Sequence, residues 1–200
     1  MLKTKKVEVP DYVLEHEDRP TKVKIYRQQN PIDPMSEPSP VTLELSHGSY
    51  DLGDKDAKTG RNESWEAVEQ EIREEHQVIA MKKVYLLDHS GLRIKTSPFR
   101  NAWDSGMVGY AYVTEESLPD YSDTEHDRPD NEKIQTWIND RVEQYDQYLI
   151  GEVYRYELIE DGESVDTCGG FYGDPRKNEI LWEYTGYPRE EFEVTGGELG

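Results

Sequence analysis

The thirty residues from Val84 to Val113, VYLLDHSGLRIKTSPFRNAWDSGMVGYAYV, constrain this chain more than any other stretch, because apolar runs, glycines and rare polar residues crowd together there. Lys83 to Leu87 is rich in β-formers, Leu92 to Lys95 can pair back across Asp88-His89-Ser90-Gly91, and Val108 to Val113 supplies a third run. The spacing predicts a small antiparallel sheet at the centre of the fold.

The flanks add elements to that sheet. Lys22 to Tyr26 alternates polar and apolar residues at period two, which suits a half-buried strand. Pro31, Pro34, Pro38 and Pro40 then impose an extended loop, and Val41 to Leu45 reads as another strand. After a Gly/Asp-rich turn, Asn62 or Ser64 can cap a helix with Trp65, Val68 and Ile72 on one face, reaching about Gln77. A second helix starts at Asp130, carries the apolar stripe Ile134, Trp137, Ile138, Val142, Tyr145, Tyr148 and Leu149, and stops at Gly151. Glu152 to Glu160 and Glu163 to Tyr172 flank Asp161-Gly162, a strong hairpin signal. The expected fold class is α+β: a mainly antiparallel sheet, two main helices and a closing β-hairpin. Residues 1–20 read as a loose arm in which Tyr12 to Leu14 allow a short edge strand. Residues 21–185 read as a single domain with an acidic loop at 114–130, and 186–200 as a flexible acidic tail.

Aliphatic residues are sparse, but 14 Tyr and 4 Trp give bulk for a core. A charged fraction of 33% and a mean hydropathy of -0.95 push toward disorder, which the surviving periodicity confines to ends and loops. The lone cysteine, Cys168, cannot close an intramolecular disulfide, and MLKTKKVEVP has no apolar run behind its basic residues. No stretch approaches the ~20 apolar residues that span a bilayer. These features lead us to expect a cytoplasmic protein in a reducing compartment with no membrane partner. The net charge of -20 argues against direct nucleic-acid binding, since phosphate contacts need an excess of Lys and Arg. Residues 1–113 hold 19 acidic and 16 basic side chains, a net of -3, whereas 114–200 hold 24 and 7, a net of -17.

Several motifs carry a resemblance. They are Ser49-Tyr50-Asp51-Leu52-Gly53-Asp54, Leu87-Asp88-His89-Ser90-Gly91, Ser97-Pro98-Phe99, Trp103-Asp104-Ser105-Gly106-Met107-Val108-Gly109, Tyr145-Asp146-Gln147-Tyr148-Leu149 with Gly151-Glu152-Val153-Tyr154, and Gly169-Gly170-Phe171-Tyr172-Gly173. In this combination and order the chain resembles, over roughly residues 45–175, a family of uncharacterised proteins encoded by phages, archaeal viruses and mobile elements. The resemblance implies an accessory protein inside a host cell and assigns no catalytic residue or cofactor. Gly169 departs from the pattern, where a bulky residue, often Trp, is expected.

Asp88-His89-Ser90 holds the side chains of a catalytic triad, yet adjacent residues point apart while a triad needs three that converge. A Cys168–His89 dyad would need two sheet elements in contact and an activated thiolate. The plainer reading makes Asp88 and Ser90 caps of a turn closed by Gly91, with His89 at its tip and Cys168 a small core residue. His47, Asp51, Asp54, Asp56 and the Asp88/His89 pair are ligand types for a divalent ion, but Lys55 and Lys58 interrupt the turn and no EF-hand spacing is met. Trp103-Asp104-Ser105-Gly106 reads as a turn before a strand, with a binding loop as the alternative, because a loop Trp beside polar residues is a good contact surface.

Three functions remain open from the residues. The first is an acidic protein-binding module that occupies a basic, often nucleic-acid-binding, surface of a host defence or replication protein. Trp103, Asp104, Asp123, Asp127, Asp140 and Glu143 would make the contacts, with no cofactor. The second is a small metal-dependent or Cys/His hydrolase built on the Asp88/His89 loop. The third takes the acidity as solvation in a salty cytoplasm, which the near-neutral first 113 residues oppose.

Overall fold

The computed structural model describes residues 8–57, 64–89, 91–100, 103–118 and 128–197. It is α+β, with two five-stranded, mostly antiparallel sheets. Where the sequence suggests one domain over 21–185, the chain separates into two compact units. One comprises residues 33–150 and the other residues 1–32 with 151–200. Strands and helices are numbered along the chain.

In the unit 33–150, β3 (Val41–Leu45), β4 (Lys55–Asp56), β5 (Val78–Asp88), β6 (Leu92–Lys95) and β7 (Ser105–Thr114) form a sheet in the order β4-β3-β7-β5-β6. The three runs of the central segment are therefore consecutive antiparallel strands or direct neighbours. Leu86 pairs with Ile94 across the β5–β6 turn, and Lys82 with Ala111 on β7. Helix α2 (Asn131–Leu149) covers one face, where Ile134, Ile138, Val142 and Tyr145 meet Leu43, Val84, Ile94, Ala111 and Val113. Helix α1 (Trp65–Glu75) belongs to the other face, where Val68 and Ile72 cluster with Tyr110 and Tyr112. The strand alternation that separates Ala111 and Val113 from Tyr110 and Tyr112 assigns the two helices to opposite sides. Both helices are capped as their sequences suggest, the Ser64 side chain accepting from the Ala67 amide and Asp130 from the Lys133 amide. Asn62 lies outside the described residues.

In the unit made from both ends of the sequence, β1 (Tyr12–His16), β2 (Thr21–Arg27), β8 (Val153–Glu160), β9 (Glu163–Tyr172) and β10 (Phe192–Gly196) pair in the order β10-β1-β2-β8-β9. The β8–β9 hairpin closes at Asp161 and Gly162, with φ of 50° and 86°, the positive values a type I′ turn needs. Helix α3 (Glu179–Thr185) follows, and Leu181 and Trp182 join Leu14, Val23, Ile25, Tyr156 and Phe192 in the core. Two expectations change here. The edge strand foreseen near Tyr12 is an interior strand, with Leu14 fully buried. Much of the segment 186–200 is ordered: Phe192 is buried against Trp182 and His16, and β10 pairs with β1. One large aromatic is enough to anchor an otherwise polar segment.

Candidate functional site

Three loops meet at one end of the β4-β3-β7-β5-β6 sheet, and they contain most of the residues that the sequence singles out. The β5–β6 turn carries Asp88 and His89, the β6–β7 connection carries Trp103 and Asp104, and the connection after β3 carries His47, Tyr50, Asp51 and Asp54. The Asp88 amide donates to the Asp104 carbonyl at 2.8 Å. His89 Nδ1 lies 3.2 Å from the Asp104 carboxylate. The Tyr50 hydroxyl donates to Asp88 Oδ2 at 3.3 Å, and its ring stacks on His47 with centroids 4.9 Å apart. His47 Nδ1 in turn accepts the Ser49 amide proton. Within this braced cluster Trp103 is 95% exposed.

The cluster is fixed from below. Asp146 of α2 accepts a fork from Arg93, with contacts of 2.8 to 3.1 Å, and also the Ile94 amide at 2.8 Å. The Gly53 amide donates to the Tyr145 hydroxyl at 3.2 Å, and Gly53 takes a φ of 77°, a conformation for which glycine is the natural residue. Asp54 Oδ2 accepts the Leu43 amide at 2.7 Å, while Oδ1 lies 3.5 Å from the buried guanidinium of Arg141. Burial pushes the Asp54 carboxyl up, against the opposing pull of the Leu43 amide and Arg141. The Tyr50-Asp51-Leu52-Gly53-Asp54, Asp88-His89, Trp103-Asp104 and Tyr145-Asp146 motifs are thus joined by hydrogen bonds, apart in sequence but continuous in structure.

His89 engages Asp104, and Asp88 engages Tyr50. Ser90 lies outside the described residues, and Cys168 stands on β9 of the other unit's sheet. Asp54 is committed to Leu43 and Arg141, and among the described residues no group of three or more His, Cys, Asp or Glu is arranged to hold a metal ion.

Asp140 and Glu143 are exposed on α2, away from its buried stripe. Asp123 and Asp127 lie outside the described residues. Sequence reasoning misses a second acidic surface: α1 exposes Glu66, Glu71, Glu74 and Glu75, with Arg73 its one cation, paired to Glu69. The signal that could find it is the run of glutamates between the apolar positions of WEAVEQEIREE. Folding also redistributes the charge contrast seen along the chain. Residues 33–150 hold 25 acidic and 12 basic side chains, a net of -13, and residues 1–32 with 151–200 hold 18 and 11, a net of -7. Lys24 of β2 faces Glu157 of the acidic C-terminal region directly across the β2–β8 pair.

Among the described residues, no helix is long and apolar enough to cross a membrane. Comparison with protein families, with curated proteins and with solved structures returns no match for this chain.

Proposed function

We propose that this protein is an acidic protein-binding module, made by a virus or mobile element and acting in the host cytoplasm, that occupies a basic surface of a host protein. Trp103 would be the centre of contact. The observation that carries this reading is Trp103 itself: a large aromatic ring almost wholly in solvent, on a loop whose neighbour Asp104 is tied to the Asp88-His89 turn. Exposing an indole has a solvation cost that a partner pocket relieves, and rigid aromatic anchors dominate interface energetics. Asp88 and Asp104 beside it, with the carboxylates of α1 and α2, would supply the electrostatic attraction that favours basic partners and repels nucleic acid. The resemblance in motif order supports a viral or mobile-element origin.

The test begins with proteins retained from host lysate at low and high salt, and continues with affinity measured on the purified partner. Trp103→Ala should leave the melting temperature unchanged and weaken binding by ~30-fold or more, the scale of an interface hot spot. Binding should also fall steeply with salt. A partner held equally well by Trp103→Ala and at high salt would overturn the proposal.

A further inference from the structure

Of the four strands that end the two sheets, β4, β6 and β10 are two, four and five residues long, while β9 has ten. Among the described residues β9 pairs with β8 alone, so its other side offers backbone hydrogen-bonding groups to whatever lies beside it. The ladder fixes which ones. The Gln28 amide donates to the Val153 carbonyl at 2.7 Å, which turns Val153, Arg155 and Glu157 toward β2, and Tyr156 and Leu158 toward β9. Cys168 and Asp166, opposite those two, turn toward β8, and Thr167 between them turns its amide and carbonyl outward. Further along, the Gly170 amide is taken by Gln28 Oε1 at 2.9 Å and the Tyr172 carbonyl by the Asn178 side chain at 2.8 Å. Register shifts at Val165 and Gly170 bound the regular run, so the open stretch is short and centred on Thr167.

The surroundings of this stretch are apolar in a strongly acidic chain. Val165 is 52% exposed, and helix α3, which follows β9, exposes Ile180 at 60% and Tyr184 at 61%. These two lie one turn apart on the same side of the helix. That side is the one next to β9, because the Tyr184 ring meets Phe171 edge-on with centroids 5.7 Å apart. The α3 carboxylates Glu179 and Glu183 instead line a groove shared with Pro188 and Arg189. From Ser164 to Tyr172 the strand carries one formal charge, Asp166, and neither lysine nor proline, the residues that most often blunt an exposed edge. The Asp166 carboxylate accepts the Tyr156 hydroxyl.

We propose that β9 pairs with β9 of a second copy of this chain, antiparallel about a two-fold axis, joining two five-stranded sheets into one of ten strands. An axis perpendicular to the sheet leaves both α3 helices on the same face, so the Ile180 and Tyr184 side of one helix meets that of the other over the junction. Pairing outward residues with outward residues sets Thr167 against Thr167 or Gly169 of the second copy, and both registers hold the Thr167 amide inside the junction. The occupant is a second copy rather than a basic partner because the patch is apolar and its one carboxylate is spent on Tyr156, leaving little there to attract a cation. Two chains that each carry a net charge of -20 approach most readily where like charges do not face each other, and this stretch is such a place. The bulges at its ends keep the contact local, and the two-fold axis closes it at two copies. The interface does not depend on the Trp103 contact proposed above.

The test is sedimentation of the full chain over a range of concentrations at low and high salt, with amide exchange followed by NMR in the same samples. Dimer should form on concentration and should tighten at high salt, which screens the repulsion between two acidic copies. That response is opposite to the one expected of a complex with a basic partner, so the two proposals fail separately. The Thr167 amide should exchange more slowly as dimer accumulates. Ile180→Glu, at an exposed position, should keep the circular dichroism of the fold and weaken self-association by ~10-fold or more, because the change counts twice across the axis and sets like charges face to face. Trp103→Ala should leave self-association unchanged. A chain that stays monomeric at ~1 mM, a Thr167 amide whose exchange ignores concentration, a dimer indifferent to Ile180→Glu, or a dimer lost with Trp103→Ala would each overturn the proposal.

Discussion

Two glycines with positive φ show how differently a single residue can matter. Gly109 in the middle of β7 has a φ of 151°, and a Cβ there would stand 2.1 Å from the Glu44 carbonyl oxygen on β3. Gly109→Ala must push β7 away from its neighbour β3, and we expect a loss of ~2 kcal/mol or more, read as a lowered denaturation midpoint. Gly162, at φ 86°, has open space around it, so Gly162→Val adds only backbone strain and should cost about 1 kcal/mol. The reverse ranking would contradict both accounts. Asp174 offers a test by pH. Its hydrogen bond with Arg176, ahead of any opposing burial, holds its carboxyl below the ordinary value of 3.8. A lowered carboxylate stabilises the fold above the unfolded value and loses that contribution as pH falls through the folded one. Asp174→Asn should therefore narrow the gap in stability between neutral and acid pH, measured by urea unfolding at each. At this scale the sequence identifies Asp88, His89, Trp103 and Asp104 by residue type, but nothing in residue type reveals that His89 faces Asp104 rather than its chain neighbour. Arg189 carries no sequence mark at all, because its hydrogen bond to the Phe192 carbonyl and its stacking over Trp182 exist only once the chain is folded.

At the scale of elements, whatever is encoded by nearby residues is legible. The α2 stripe, its Asp130 cap, the strand Val41–Leu45 and the Asp161-Gly162 hairpin all arise from periodicity or turn chemistry within about twenty residues. Helix α3 is not legible, because seven residues with Leu181, Trp182 and Thr185 inside give too short a period to register. Pairings between distant strands, such as Arg27 with Tyr154, leave no local mark either. How α2 is fastened to its sheet follows the same rule. Asp146 sits in a conspicuous motif, but its role as the acceptor for both Arg93 and the Ile94 amide depends on β6 lying beneath the helix. Asp146→Ala removes the acceptor of the buried Ile94 amide and one partner of Arg93, and we expect a loss of about 2 kcal/mol by chemical denaturation. Asp140→Asn, on the exposed side of the same helix, should be within about 0.5 kcal/mol of the parent.

At the scale of the whole molecule, tyrosines report on both units at once. Burial, with the Glu157 carboxylate, pushes Tyr26 up to about 12, and burial with the nearby Glu69 and Glu66 does the same for Tyr110. Tyr112 and Tyr156 are raised further, by burial and by their hydrogen bonds to Glu44 and Asp166. A phenol raised above its unfolded value of 10.0 stabilises the fold below that pH and withdraws the contribution as pH climbs past it. In an alkaline titration followed by phenolate absorbance, these four should ionise late and together with loss of circular dichroism; their early ionisation in a folded protein would refute the burial described. The sheet order β10-β1-β2-β8-β9 also bears on how the molecule is made. Strand β2 is synthesised before residues 33–150, and its hydrogen-bonded neighbour β8 only after all 118 of them. At roughly 5–20 residues per second on a ribosome, β2 waits on the order of 10 s for β8, the interval in which the intervening unit is synthesised. The charges of Lys22, Lys24 and Arg27 on the waiting strand guard it against adding to other nascent edges in that interval. The inserted unit can fold as it emerges, and the other closes last, when β10 arrives beside β1.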